Sequence, residues 1–215
     1  MLSIETEVHN CRKCKEKYSH YMPYYPVFSF GNPVGKPLIL IGINPSKKEF
    51  EEGFLSNSNR AEDRRISQLT YFEREPYNYF KKVEPFFGGP VKKVLGWKES
   101  PWEKVGTLDL IKCSTVKKNG QWNELTENQQ RYFIANCESY LIRQLKMFKP
   151  DVVISYGVKV CEWFSDYLNT PYYEYKSFTS KINDRTIRGI FIPQRQGNHS
   201  VPEIVWVQRK LKKII

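Results

Sequence analysis

Four cysteines in this sequence could ligate a metal, and two of them have the spacing of a ligand pair. Cys11 and Cys14 form a C-x2-C pair near the N-terminus, Cys113 ends an apolar segment, and Cys137 lies in a long amphipathic segment. Thiolates in such patterns ligate zinc or iron–sulfur clusters. The first residues do not resemble a secretory signal, so we expect a reducing compartment in which disulfides are disfavoured. Metal ligation and plain burial both remain open, because spacing alone does not separate these uses.

Two further polar residues follow segments with strand character. Asn44 comes directly after the apolar run LILIGI, and His199 follows an apolar run that ends near Pro193. The carboxyl ends of parallel strands share one edge of a sheet, where ligands bind in open α/β folds. We therefore expect Asn44 and His199 to face one pocket. Taken singly, an Asn-Pro turn and a loop histidine bonded to backbone are the alternatives.

The elements that must position these residues alternate along the chain. Apolar runs predict strands at 38–43, 107–113, 151–156 and 186–193, and helical patterns occupy 60–80, 127–148, 158–168 and 201–215. Strands that alternate with helices indicate βαβ units. The prediction is a single α/β domain over 1–215, with a three-layer α/β/α arrangement around a central, mostly parallel sheet of four to five strands.

Local signals refine this prediction. In the long helix, apolar and neutral residues share one face at i, i+3 and i+4 spacing, namely Phe133, Cys137, Tyr140, Leu141, Gln144, Leu145 and Phe148. Ser200 and Glu203 form a capping box at the start of the last helix, with Pro202 in its first turn. The Tyr- and Pro-rich segment 20–30 is predicted as an extended edge strand. The charged segment 49–85 is interpreted as a plain solvated helix, with an insertion or lid around the site as the alternative.

Composition narrows the class of protein and of partner. An apolar content of 40% in 215 residues supports a packed core and argues against disorder. A net charge of +11 favours a polyanionic partner, although a generally basic surface would give the same charge. The absence of a long apolar run predicts a cytoplasmic protein without a membrane partner. No G-x-x-x-x-G-K-[ST] loop occurs, which disfavours a nucleotide-binding protein.

Several segments together resemble the uracil-DNA glycosylase superfamily. In chain order these are FGNPVGKPLILIGINPS, PFFGGPVKKVL, DLIKCS, NCESYLIRQLKMFKPDVVISYG and GNHSVPEIV. The GINP core resembles the mismatch-specific and single-strand-selective branches, whereas the other segments resemble the iron–sulfur branch. The resemblance implies a DNA glycosylase that hydrolyses the N-glycosidic bond of uracil or a related damaged base in single- or double-stranded DNA, as in base excision repair. No obligate protein partner is inferred.

The resemblance also gives the cysteines a role. The 1–30 segment would contribute Cys11 and Cys14, and the middle of the chain Cys113 and Cys137, to a structural [4Fe–4S] cluster. Zinc, or no metal, remains the alternative. Cys161 has no counterpart in the resembled branch and is interpreted as a buried apolar residue.

Further roles follow for a nucleotide flipped out of the duplex. Asn44 would orient the attacking water, and His199 would stabilise the departing base anion. The remaining assignments are base contacts by Phe86, Asp109 and Ile43, phosphate contacts by Ser46 and Ser200, and an apolar wedge formed by Val201 and Pro202.

The chain departs from the iron–sulfur branch at the position of Asp109, where that branch carries a base-reading asparagine. An ionised aspartate only accepts hydrogen bonds, so it suits uracil N3–H and repels O4. Either desolvation keeps the acid neutral, or the target base presents an amino group at that position. The final motif also lacks the proline between His199 and Ser200. These departures favour the alternative function, a catalytically silent nucleic-acid-binding protein of the same fold.

Overall fold

The four apolar runs predicted as strands and one further strand form a five-stranded sheet. The computed structural model describes residues 3–19, 23–115, 122–193 and 199–215. Along the chain, the strands are β1 (Leu38–Gly42), β2 (Val105–Asp109), β3 (Val152–Tyr156), β4 (Ser177–Ile182) and β5 (Arg185–Ile192). Their order in the sheet is β2-β1-β3-β5-β4, in which β3 pairs in parallel with β1 and β5 and β4 pairs antiparallel with β5.

Helices connect these strands, as the alternation predicts. They are α1 (Ile4–His9), α2 (Lys13–Lys17), α3 (Lys47–Glu51), α4 (Ala61–Leu69), α5 (Asn78–Val83), α6 (Gly89–Leu95), α7 (Glu127–Phe148), α8 (Val158–Leu168) and α9 (Val201–Ile214). The mostly parallel sheet with its helices confirms the predicted three-layer α/β/α class. Among the described residues, no helix is long and apolar enough to cross a membrane.

The strongest local signals are confirmed. Helices α7 and α8 have the predicted bounds, and all seven residues predicted on one face of α7 are buried. At the start of α9 the Ser200 side chain accepts from the Glu203 N–H, and the Glu203 carboxylate accepts from the Ser200 N–H. Cys161 is fully buried in α8, and its thiol donates to the carbonyl of Ser155, in agreement with a packing role.

The edge strand lies elsewhere than predicted. Residues 23–29 form no strand, and residues 20–22 lie outside the described residues. Next to β5, the edge strand of the described sheet is β4. It forms a hairpin with β5 through Asn183, a residue with φ of +53°. Phe178 and Ile182 are its buried residues, and they lie four positions apart. Because polar residues and a lysine lie between them, the sequence gives only a weak strand pattern here. The run predicted at 107–113 also leaves the sheet early, because β2 ends at Asp109.

The charged segment 60–80 is neither one helix nor a plainly solvated one. It contains α4, a short 3-10 helix at Tyr71–Glu73 and the start of α5. Arg64, Gln68 and Tyr71 are buried. Gln68 Oε1 accepts a hydrogen bond of 2.8 Å from the Phe28 N–H, so a polar side chain stabilises the extended 23–30 segment in place of a strand partner.

The chain divides into two compact units. The first contains Met1–Asn32, Ile43–Arg74 and Leu108–Met147, and the second contains Pro33–Gly42, Glu75–Thr107 and Phe148–Ile215. Asn44, Asp109 and the four candidate ligand cysteines belong to the first unit, and Phe86 and His199 to the second. That 1–215 is a single domain, with an insertion or lid at 49–85, stays a prediction.

The centre of the sheet makes one stability prediction. A Cβ added to Gly189 in β5 would lie 2.5 Å from the Val153 carbonyl oxygen and would overlap the Phe178 ring. We expect Gly189→Ala to lower the free energy of unfolding by about 1–3 kcal/mol, the range typical of overpacked cores. Urea denaturation measures the change, with the exposed Thr186→Ala of the same strand as control. Equal midpoints for the two variants would contradict this account of the sheet.

Candidate functional site

Asn44 lies two residues beyond the end of β1, half-buried in the first unit. Its side-chain amide donates to the Pro45 carbonyl at 3.0 Å and to the Thr115 hydroxyl at 3.4 Å. Both bonds use Nδ2, so they fix the amide plane and leave Oδ1 as the acceptor for another group. Ile43, half-buried beside it, accepts a backbone hydrogen bond from Ile111 and so joins this turn to the chain after β2.

Asp109 is the last residue of β2, and its carboxyl group is buried with an exposed fraction of only 8%. Within the described parts of the chain, its Oδ2 has no hydrogen-bond partner. Burial, followed by the nearby Glu49, raises the pKa of Asp109 well above its ordinary value, and Lys112 opposes this shift. The direction agrees with the predicted neutral acid. A buried polar oxygen without a protein partner is costly unless a ligand supplies one.

Glu49 is a second buried acid that sequence reasoning missed. Its exposed fraction is 3%, and its carboxylate accepts from the Ser46 N–H at 2.7 Å and from the Tyr71 hydroxyl. Burial raises its pKa to about 7, against the two hydrogen bonds. The S-x-x-E spacing of Ser46 and Glu49 predicts a capping box, and this was the available signal. The burial itself depends on Tyr71, which is distant in sequence.

Lys112 follows Asp109 closely and is completely buried. Its Nζ donates to the Asp109 main-chain carbonyl at 2.5 Å, not to the carboxyl group. Burial lowers the pKa of Lys112 to about 8, although Asp109 and Cys137 favour its charged form. Lys112 therefore interacts with both Asp109 and Cys137, and its ammonium group stays mostly charged at neutral pH.

The four candidate ligand thiols lie close together in the first unit. Cys11 precedes α2, Cys14 lies in it, Cys113 follows β2, and Cys137 lies in α7. The Cys14 thiol donates a hydrogen bond to Cys137, and this bond lowers the pKa of Cys137. The same bond, together with burial and the charges of Cys113 and Cys11, raises the pKa of Cys14. Burial, then Cys137 and Cys11, raises the pKa of Cys113.

Basic residues surround these thiols. Arg12 and Lys15 act on Cys113, and Lys13 and Lys112 act on Cys137, each lowering the thiol pKa. Four thiolates and a cluster carry net negative charge, so this donor set and its cations fit a [4Fe–4S] group chemically. Over the described ranges, no group of three or more His, Cys, Asp or Glu side chains is arranged to hold a metal ion.

In the second unit, His199 lies among aromatic rings. Its Nε2 shares a hydrogen bond of 2.9 Å with the hydroxyl of Tyr156, the last residue of β3. Burial raises the pKa of Tyr156 to about 12, so the phenol stays neutral and orients the imidazole. The Phe86 ring lies 4.7 Å from the imidazole, centroid to centroid. Tyr156 was not predicted, because a tyrosine at the end of a buried strand resembles core.

Phe86 is fully buried in the 3-10 helix Glu84–Phe87. A base reaches this ring only if the surrounding side chains move. The loop is attached to α9, because Gln208 Nε2 donates to the Pro85 carbonyl at 2.8 Å. The same side chain leaves little space at Gly89, since Gln208 Oε1 would lie 3.1 Å from an added Cβ. Gly89 has a φ of +53°, which favours glycine.

A cleft of about 550 Å³ opens beside His199. It is lined by Asn78, Lys81, Lys82, Pro85, His199 and Ile204. Two lysines at its rim suit an anionic ligand such as a nucleic-acid backbone. Composition indicated a polyanionic partner, and the two lysines of this cleft are a local positive charge that such a partner could contact.

The residues predicted to contact the DNA backbone and those predicted to form the wedge differ in their exposure and in their hydrogen bonds. Ser46 and Ser200 are the N-caps of α3 and α9, and in each case a cap glutamate already accepts from the serine N–H. Their predicted phosphate contacts stay predictions. Val201 is 72% exposed and Pro202 is also exposed, as an apolar wedge requires.

The structure thus brings together two groups of predicted residues. The first unit contains Asn44 and Ile43 in one turn, Asp109 near the unpredicted Glu49, and the four thiols. The second contains Phe86 and His199 in direct ring contact, with Val201 and Pro202 at the start of α9. A common pocket for Asn44, Asp109, Phe86 and His199 stays a prediction.

Comparison with known proteins bears on the family. The model of the uracil DNA glycosylase superfamily matches residues 28–201. No curated protein matches the chain. The matched range includes Asn44, Phe86, Asp109, His199 and three of the five cysteines, whereas Cys11 and Cys14 precede it. Because the match covers far more than half of the sequence, this chain belongs to the uracil DNA glycosylase superfamily.

Proposed function

We propose that this protein is a DNA glycosylase that removes uracil or a related damaged base from DNA. Members of the superfamily are typically DNA glycosylases, so a glycosylase-like function and binding to DNA follow from membership. The target atom is hidden in stacked DNA, so the nucleotide must be flipped into a pocket. The observation that carries the proposal is Asp109, whose buried oxygen has no partner within the described ranges and suits the edge of a base.

Two residues carry the bond cleavage in this proposal. Breaking the N-glycosidic bond develops positive charge on the sugar and negative charge on the departing base. His199, oriented by Tyr156, donates a hydrogen bond to that anion. Asn44 directs the attacking water through Oδ1, since Nδ2 is held by Pro45 and Thr115. An amide is a poor general base, so we expect slower turnover than with an aspartate.

A structural [4Fe–4S] cluster held by Cys11, Cys14, Cys113 and Cys137 is part of the proposal. The grouping of the thiols and the cations around them support it. When bound, the group would crosslink α2 to the chain after β2 and to α7, and it would take no part in bond cleavage.

A panel of oligonucleotides tests the function. Each carries one modified base, and alkaline cleavage of the resulting abasic site reports excision. Release of uracil or another deaminated base supports the glycosylase. Binding to these DNAs without release of any base would instead identify a silent nucleic-acid-binding protein, the alternative that Asp109 and the missing proline between His199 and Ser200 favour.

The pH dependence of excision tests the role of Asp109. If the neutral acid donates to the base, cleavage of uracil is greatest below the Asp109 pKa and falls as pH rises through it. Burial raises that pKa, so the fall comes at a higher pH than for an exposed aspartate. Asp109→Asn supplies a donor at every pH and should abolish the fall.

Single-turnover rates across pH measure this effect, and the exposed Asp166→Asn is the control. A rate on uracil that does not depend on pH, or excision only of bases with an amino group, would show that Asp109 does not act as a neutral donor.

A further inference from the structure

Hydrogen bonds distinguish the two buried acids of the first unit. The Glu49 carboxylate accepts from two donors, the Ser46 N–H and the Tyr71 hydroxyl. The Asp109 Oδ2 has no partner among the residues that the structure describes. A carboxylate only accepts, whereas a protonated carboxyl group carries an O–H that donates. The donors therefore favour the ionised form at Glu49, and their absence favours the protonated form at Asp109.

Among the charged and titratable groups around Asp109, Glu49 reinforces this difference and Lys112 opposes it. These groups are Glu49 from α3, Lys112 from the chain after β2, and Tyr71 from the 3-10 helix. Lys112 directs its Nζ to the Asp109 main-chain carbonyl and not to the carboxyl group. Burial, with Glu49, raises the pKa of Tyr71, which stays neutral. Two buried carboxylates close to one another do not both ionise readily, so the pair holds one proton.

We propose that Glu49 is a specificity-determining residue that holds the proton on Asp109, so that Asp109 donates a hydrogen bond to a carbonyl oxygen of the target base. This inference rests on the proposed function. It names the substrate class as bases with a carbonyl oxygen at the position that the acid reads, such as uracil. Bases with an amino group there present a second donor, and a donor that meets a donor leaves both unpaired in a dry site.

Glu49→Gln removes the charge and keeps the shape. Glutamine also serves in a capping box, so α3 retains its start. Without the neighbouring charge, Asp109 ionises at lower pH, and the pH at which half of the uracil excision is lost should therefore move downward. If this midpoint moves by one pH unit, the variant should cleave roughly tenfold more slowly than the wild type at pH values above both midpoints. At low pH the variant and the wild type should cleave at similar rates.

The matched control is Glu52→Gln, because Glu52 is an exposed carboxylate one residue past α3. The decisive variant combines Glu49→Gln with Asp109→Asn. If Glu49 acts through the proton on Asp109, Glu49→Gln has no effect on the pH profile once position 109 cannot ionise. An equal loss at every pH, or the same loss in the Asp109→Asn background, would assign Glu49 a structural role only and overturn the proposal.

Infrared difference spectroscopy of the intact protein separates this proposal from the proposed function. The band of a protonated carboxylic acid should disappear in Asp109→Asn and should titrate at lower pH in Glu49→Gln, even if no base is released. Failure to release any base with this band present contradicts the glycosylase only. Absence of the band at neutral pH contradicts the assignment of the proton.

Discussion

Asn44→Ala and His199→Ala are each expected to lower single-turnover excision of a susceptible base by roughly 100-fold or more. Loss of one preorganised electrostatic donor typically costs this much. Asn44→Ala removes the Oδ1 proposed to direct water, and His199→Ala removes the imidazole held by Tyr156. DNA affinity should change little, because neither side chain supplies backbone contacts in the proposal.

The exposed Asn59→Ala is the matched control for Asn44→Ala, since it removes an amide from the same unit without contact to the site. Excision within a fewfold of wild type in Asn44→Ala would remove Asn44 from the mechanism. A parallel loss of DNA affinity in His199→Ala would instead indicate a role in binding.

The second large effect concerns the thiols. Protein prepared without oxygen should be brown, absorb at about 400 nm and contain four iron atoms per chain, as for a [4Fe–4S] cluster. Cys137→Ser should lose this absorbance and unfold at a lower temperature. The reason is that the free energy of metal binding contributes to folding when the site exists only in the folded chain.

Cys161→Ala is the control for the thiols. It removes an equally buried cysteine that has no part in the group, so absorbance at 400 nm should remain. Stoichiometric zinc without iron, or full absorbance in Cys137→Ser, would exclude the proposed cluster.

Local sequence signals predicted the parts of the fold that depend on neighbouring residues. The bounds of α7 and α8 and the cap of α9 follow from periodicity and from Ser200 with Glu203, so sequence was sufficient there. The raised pKa of Asp109 agrees in direction with one of the two alternatives that the sequence leaves open, since it follows mainly from burial. Alternation of strands and helices predicted the fold class.

Features set by distant contacts were not predictable in this way. Glu49 follows two lysines and resembles a surface residue, and only the hydrogen bond from Tyr71 shows why it is buried. Tyr156 ends a buried strand and therefore resembles a core residue in the sequence. Its hydrogen bond to His199 depends on the fold. Strand β4 forms because β5 offers it a partner, and its own residues give a weak pattern.

The attachment of Gln208 to the loop around Phe86 has a consequence for motion. Gln208 joins α9 to the Pro85 carbonyl, and the same helix begins with Ser200, directly after His199. A displacement of α9 is therefore expected to shift the loop through this hydrogen bond. The ring that would stack on the base and the histidine that would stabilise its departure then keep their spacing while the cleft beside them changes width. Dynamics at this site would be concerted, with one opening motion instead of two independent ones.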